Sequence, residues 1–168
     1  MPGIKTFTRA ASFVLLNSFA AAAFAQTDEE LRAIYNRKEQ SRMQEIAESG
    51  DVRAQAWIGL MMQNQGRRAE SKQWWLRAAE RGNLWAMSSL AQMESTDGDI
   101  VEATKWVRRG AEAGDATSQA MYGYSLATGR GVEKDEREAV RWYTEAVSRG
   151  NLRAALSLAQ ACGKGRSS

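Results

Sequence analysis

The sequence predicts an all-α protein, a solenoid in which antiparallel helix pairs stack along the chain. Four glycines, at positions 50, 82, 114 and 150, lie 32, 32 and 36 residues apart, a period typical of stacked helical repeats. Each of them precedes an Asp or Asn. Glycine can end one helix in the left-handed conformation, and the Asx side chain can cap the next helix. A tryptophan stands eight residues before each of the last three glycines, at Trp74, Trp106 and Trp142.

Residues 1–25 have the composition of a secretory signal peptide. Lys5 and Arg9 form a basic start, residues 13–24 are largely apolar, and a small-x-small cleavage site ends at Ala25. A membrane anchor is the alternative, but two polar residues interrupt the apolar run, which is shorter than the ~20 residues that a spanning helix needs. We therefore expect cleavage near Ala25, a periplasmic or secreted location and no stable membrane anchor.

Charge and composition exclude several classes of function. Removing residues 1–25 leaves 21 basic and 20 acidic side chains, mixed along every segment. Nucleic-acid-binding surfaces concentrate positive charge, so we expect no nucleic-acid partner. The chain has no histidine, which excludes Ser-His-Asp and Cys-His catalysis and any zinc site with a histidine ligand.

The single cysteine, Cys162, has no partner for an intrachain disulfide. A free or intermolecular thiol is one interpretation. Cys162 aligns with Met62 and Leu126 in the repeat register, which favours the other interpretation, a small side chain in an apolar slot.

A metal site made of carboxylates alone has one candidate location, around Asp97, Gly98 and Asp99. The spacing lacks the alternating acidic ligands and the final glutamate of a calcium loop. A turn followed by a helix cap accounts for the same residues. The sequence therefore predicts no catalytic residue, no cofactor and no bound metal.

The first element after the cleavage site is a half-repeat, residues 26–50. Thr27 and Glu30 form a capping-box pattern before an apolar stripe, which predicts one helix from there to about Glu48. Its end resembles the ends of the later repeats, although Arg42 stands where those carry tryptophan. We expect this segment to cap the stack.

Three full repeats follow at 51–82, 83–114 and 115–150, then a half-repeat at 151–162 and a flexible tail at 163–168. Asp99 with Glu102, and Asp135 with Glu138, predict capped starts for two of the second helices. Arg67 replaces the Asp in the first repeat, so that helix start should be the weakest. The first helices share a small residue at one packing position, namely Gly59, Ala91, Gly123 and Ala159.

The third repeat carries a distinctive set of residues, namely Tyr122-Gly123, Gly129-x-Gly131-Val132, Asp135, Ala139, Trp142-Tyr143 and Gly150. With these residues it resembles a Sel-one-like repeat, a relative of the tetratricopeptide repeat. The resemblance extends over residues 43–162, although the first two repeats lack the Gly-x-Gly-Val loop. It implies a curved, right-handed α-solenoid that binds other proteins, commonly at bacterial envelopes or in secretion and signalling assemblies.

Candidate binding residues are those that vary between repeats on the first helices, which line the concave face in tetratricopeptide proteins. The recurring tryptophans are better explained as helix contacts than as ligand-stacking residues. Trp85 stands out, because the stack does not require an aromatic residue there and tryptophan is enriched at protein interfaces. The alternative to this binding role is that the Trp85 side chain covers an edge of the second repeat. Trp57 is also off-pattern, and packing against the N-terminal helix is the alternative to a binding role. The predicted partner-binding residues are Arg53, Leu60, Trp85, Ser88, Gln92, Thr117 and Tyr124, with Ala56, Gln63, Ser95, Ala120 and Ala127 at the other variable positions.

The resemblance favours a non-catalytic periplasmic module that binds a protein partner on its concave face. An immunity protein against a secreted effector toxin and an envelope adaptor or regulator are two forms of this hypothesis. The alternative is an envelope hydrolase acting on cell-wall or β-lactam substrates, as proposed for cysteine-rich relatives. Those relatives carry paired cysteines in each repeat, and this chain does not.

Overall fold

The computed structural model describes residues 27–164, and within that range the chain forms nine α-helices. Three antiparallel pairs, α3 with α4, α5 with α6 and α7 with α8, stack in chain order, with α1 and α2 at one end and α9 at the other. The predicted all-α solenoid is confirmed. The helices are α1 (Asp28–Asn36), α2 (Gln40–Glu48), α3 (Val52–Asn64), α4 (Arg68–Glu80), α5 (Leu84–Asp97), α6 (Ile100–Glu112), α7 (Ala116–Thr128), α8 (Glu136–Ser148) and α9 (Leu152–Lys164).

Some of the predicted features lie outside residues 27–164. The signal peptide at 1–25 and residues 165–168 of the tail lie outside the described range, and so does the side chain of Cys162. Their interpretation therefore stays a prediction.

The Gly–Asx junctions between repeats have the predicted geometry. The four glycines adopt φ values of 101°, 89°, 89° and 87°, at Gly50, Gly82, Gly114 and Gly150. The following side chain in each case accepts a hydrogen bond from a backbone N–H in the first turn of the next helix, at Asp51, Asn83, Asp115 and Asn151. Two residues thus end one helix and begin another, which repeats the same tight connection along the stack.

Small residues on the first helices allow the paired helices to approach closely. A Cβ atom at Gly59 would lie 2.9 Å from the fully buried ring of Trp75, and one at Gly123 would lie 3.0 Å from the ring of Tyr143. The recurring tryptophans are part of the core packing as predicted, with Trp106 buried and Trp74 and Trp142 half-buried against it. The residue after the tryptophan makes the close contact within the first and third pairs.

The single N-terminal helix predicted to run to Glu48 is wrong. The chain breaks after Asn36, with Lys38 at a left-handed φ of 58°, and a second helix starts at Gln40. Ile34 and Met43 are nine residues apart, so in one helix at 100° per residue they would face opposite sides. The break allows both side chains to enter one apolar cluster with Ile58 of α3.

The third repeat contains a longer connection, residues 129–135, that packs on the preceding repeat. The Thr104 hydroxyl of α6 donates a hydrogen bond to the Arg130 carbonyl at 3.2 Å. Gly131 has a φ of 69° and lies so close to α6 that a Cβ there would collide with the Ile100 carbonyl. The loop therefore joins the second and third repeats and fixes the position of Arg130.

The last helix, α9, packs on α8 and makes a smaller contact with α7. Ala154 is buried against the core, whereas Leu152 and Leu156 are 83% and 71% exposed. Within the described residues α9 therefore has packing partners on one side only.

We expect Arg67→Asp to stabilise the protein. Arg67 lies just before α4 with φ and ψ of −82° and 62°, close to the −84° and 77° of the capping residue Asp99, but it makes no side-chain cap. Its guanidinium instead hydrogen-bonds Glu70 at 2.6 Å and 2.7 Å, which lowers the pKa of Glu70. A carboxylate at position 67 can accept from the free amides of the first turn. The midpoint of thermal unfolding should rise by roughly 2–4 °C.

Arg67→Ala is the control for that prediction, because it also removes the ion pair with Glu70 but supplies no cap. It should leave the midpoint unchanged or slightly lower. Equal midpoints for the two variants would contradict the capping argument.

Gly131→Ala should destabilise the protein more than Gly129→Ala. Both glycines have positive φ, so either substitution costs about 1–2 kcal/mol in backbone strain. Only at position 131 would the new methyl group also meet α6, which adds roughly 1–3 kcal/mol. Urea denaturation of both variants measures the difference. Similar losses of unfolding free energy would show that the loop does not press on α6.

Candidate functional site

A groove of about 650 Å³ runs between the first helices of the second and third repeats, α5 and α7. We call it the central groove. The second helix of the second repeat, α6, lies behind it and supplies an apolar floor that includes Ala103, Trp106 and Val107. The walls carry small and polar side chains, and the larger Met121 and Tyr124 on α7 are about half exposed.

Four of the seven predicted partner-binding residues line this groove. Ser88 and Gln92 come from α5, and Thr117 and Tyr124 come from α7. Tyr124 is 53% exposed, and its ring is available to a ligand. The assignment of these residues to a partner stays a prediction, but the structure places them on one continuous surface.

The other three predicted residues lie elsewhere. Arg53 and Trp85 line a second depression near the N-terminal end of the stack, together with Asp28. Leu60 borders neither depression and is half-buried against the core. Ala56, one of the other variable positions, is fully buried and cannot form part of an exposed surface.

Trp85 belongs to a row of four aromatic rings that crosses the first repeat. Its ring makes edge contacts with Trp57 and Trp75, at centroid distances of 5.1 Å and 5.0 Å. Trp57 also contacts Tyr35 of α1 at 5.0 Å, which confirms its predicted packing on the N-terminal helix. Trp85 is nevertheless 40% exposed. It covers an edge of the first repeat and also presents part of its ring to solvent.

Arg53 holds the N-terminal segment to the first repeat. Its guanidinium forms hydrogen bonds with Asp51 at 3.1 Å and with Asp28 of α1 at 3.2 Å. These carboxylates raise the pKa of Arg53, with the hydrogen bond to Asp51 as the largest cause. Its charge is therefore balanced within the chain, which reduces what it can offer to a partner.

The sequence reasoning missed two arginines that line the central groove. Arg130 lies in the α7–α8 loop and Arg153 lies at the start of α9, and both side chains are exposed. Arg153 shares its repeat register with Arg53, Trp85 and Thr117, but the predicted binding residues were taken from the three full repeats only. Arg130 has no counterpart in the other repeats, and only the folded loop shows that it faces the groove.

This arrangement is suited to recognition. Among residues 27–164, no three His, Cys, Asp or Glu side chains gather as a metal site requires. The helices in the same range are too short or too polar to span a membrane. The groove offers an apolar floor, hydroxyl and amide side chains, and two cations.

Comparison with known proteins identifies the family. The Sel1 repeat model matches three consecutive segments, residues 52–83, 86–115 and 116–151, which together make up more than half of the chain. The chain belongs to the Sel1 repeat family. Sel1 repeats generally mediate protein–protein interaction, and Sel1 repeat proteins are typically non-catalytic scaffolds.

Solved Sel1 structures share the fold. A Sel1 repeat protein from Oxalobacter formigenes is 30% identical with a TM-score of 0.66, over 73% of this chain and 98% of that one. A protective antigen present in uropathogenic Escherichia coli strains, which displays an SLR fold, is 24% identical with a TM-score of 0.62. That match covers 88% of this chain but 31% of the antigen, and it concerns the fold alone. No curated protein sequence matches the chain.

Trp85→Ala should lower the free energy of unfolding by about 1–2 kcal/mol, because it removes two edge contacts between aromatic rings. Tyr124→Ala is the comparison, since Tyr124 is similarly exposed and makes no ring contact among the described residues. It should change stability by less than about 0.5 kcal/mol. Chemical denaturation of both variants measures the two values. An unchanged stability for Trp85→Ala would mean that the aromatic row does not support the stack.

Proposed function

We propose that this Sel1 repeat protein is a non-catalytic, periplasmic or secreted protein that binds a protein partner in the central groove. The observation that carries the proposal is the gathering of Ser88, Gln92, Thr117 and Tyr124 on one accessible surface. These positions vary between repeats, so the fold does not need their side chains. Side chains that the scaffold does not use are free to specify a ligand.

The position and character of the groove support a macromolecular ligand. It is partly open to solvent and spans two repeats, whereas a small-molecule site usually encloses most of its ligand. Tyr124 and Met121 of α7 are both about half exposed, and large side chains of this kind are enriched at protein interfaces. Trp85 provides a further exposed aromatic surface toward the N-terminal end of the same series of first helices.

The basic and apolar composition of residues 1–25 supports export, and hence a partner in the periplasm or outside the cell. Two roles agree with an exported binding module. One is an immunity protein that neutralises a secreted effector, and the other is an adaptor or regulator in an envelope assembly. The neighbouring genes separate them: a secreted toxin favours immunity and a sensor kinase favours the adaptor.

Capture of a partner from a periplasmic extract tests the proposal. The bait is the chain that starts at Gln26, which should also be the first residue of the protein recovered from the periplasm. We expect one protein to be retained by the wild-type bait and lost with Tyr124→Ala, because that variant removes an exposed ring from the groove. Trp85→Ala tests whether the binding surface extends to the aromatic row.

Arg137→Ala is the matched control, since Arg137 is exposed on α8 and does not line the groove. Each variant is first checked for an unchanged helical circular-dichroism spectrum. Retention of the partner by Tyr124→Ala, with loss in Arg137→Ala, would place binding on the opposite face. Turnover of a cell-wall fragment or a β-lactam by the purified protein would contradict the non-catalytic assignment.

A further inference from the structure

The charges around the central groove are all of one sign. Arg130 and Arg153 line it, and no Asp or Glu does. Neither arginine has a carboxylate within ion-pair distance among residues 27–164. Other arginines in the stack are paired, for example Arg68 with Asp97 at 2.6 Å and Arg149 with Glu145 at 2.9 Å. The groove therefore holds positive charge that the chain itself does not balance.

The two arginines lie at opposite ends of the groove. Arg153 follows Asn151, whose side chain donates a hydrogen bond to the Ala116 carbonyl at the N-terminal end of α7, and Arg130 follows the C-terminal end of the same helix. Thr128 lies eleven positions after Thr117 in the helix, so the ends are about 17 Å apart at 1.5 Å per residue. An extended peptide rises by about 3.3 Å per residue and would cover that length with five or six residues.

The floor of the groove between the arginines is apolar, and hydroxyl and amide side chains lie on the walls. Ala91 and Ala120 provide small side chains on the two walls, and Trp106 and Val107 form the floor. A volume of about 650 Å³ lies within the range of sites for small ligands and short peptide segments, and is small for a whole helix with its side chains. The groove thus combines an apolar centre with a cation at each end.

From this arrangement we infer that the ligand of the central groove is a short extended segment of a protein, with apolar side chains in its middle and a carboxylate at each end. The inference rests on the proposed function and specifies the partner's chemistry. Arg130 and Arg153 each bind one carboxylate, because the planar guanidinium matches a carboxylate with two parallel hydrogen bonds. The apolar side chains contact Trp106 and Val107 between them.

A selection from a phage-displayed library of random dodecapeptides tests this inference. The baits are the wild-type chain from Gln26, the double variant Arg130→Gln with Arg153→Gln, and a control double variant Arg37→Gln with Arg137→Gln. Arg37 and Arg137 are exposed and lie outside the groove, so the control loses the same charge without altering it. Enriched peptides are then synthesised with a fluorescent label, and their Kd values are measured by anisotropy.

We expect the wild type to enrich peptides with two acidic residues five or six positions apart and apolar residues between them. A labelled copy should bind roughly tenfold more weakly for each groove arginine replaced, and the control should bind as the wild type does. Binding should also weaken as the salt concentration rises.

Several outcomes would overturn the inference. Enriched peptides without acidic residues, or equal binding by the groove double variant, would show that the arginines do not choose the ligand. If Tyr124→Ala abolished the binding of such peptides to the groove, the proposed function would stand and only the inference about the arginines would fail. Enrichment of no peptide would exclude a short extended ligand, and partner capture by the full chain would then test the proposed function separately. Binding of labelled oligothymidine that is lost in the groove double variant would assign the arginines to phosphates.

Discussion

Each Gly–Asx junction meets two opposite requirements in two residues. The glycine takes a positive φ that an L side chain disfavours, which ends one helix, and the Asx side chain satisfies free amides that the next helix would otherwise expose. Because the junction recurs with nearly the same geometry, each repeat is placed on its neighbour by the same turn. The first helices consequently lie side by side, and the central groove is the space between two of them.

The close helix contacts determine which side chains remain for function. Trp75 and Tyr143 occupy the space that the small residues Gly59 and Gly123 leave open, so these two rings belong to the scaffold. Under the proposed function, binding depends on side chains that depart from the repeat. The longer loop of the third repeat is such a departure, because it binds Thr104 of α6 and places Arg130 at the end of the groove.

Local signals were enough to predict most of the fold, since glycine conformation, helix caps and helical periodicity act within a few residues. The break at Lys38 was not predicted. The nine-residue spacing of Ile34 and Met43 already indicates it, because the two side chains would face opposite sides of one continuous helix. The lining of the central groove could be predicted in part, while its role stays a prediction. Ser88 and Tyr124 follow from comparing repeats, but the position of Arg130 depends on contacts between a loop and another repeat, which no periodic pattern contains.

Within residues 27–164, α9 packs on one side only, so the two ends of the central groove are supported unequally. In a stack where each element is stabilised by its neighbours, a helix with partners on one side opens at a lower free energy than the helices inside. Arg153 is carried by that helix, whereas Arg130 is carried by a loop fixed to α6. The backbone at the Arg130 end is therefore held by a second repeat, and we expect the Arg153 end to open more readily. A ligand that engages Arg153 would then favour the folded state of α9, so that occupancy of the groove and the local stability of this helix would be thermodynamically coupled.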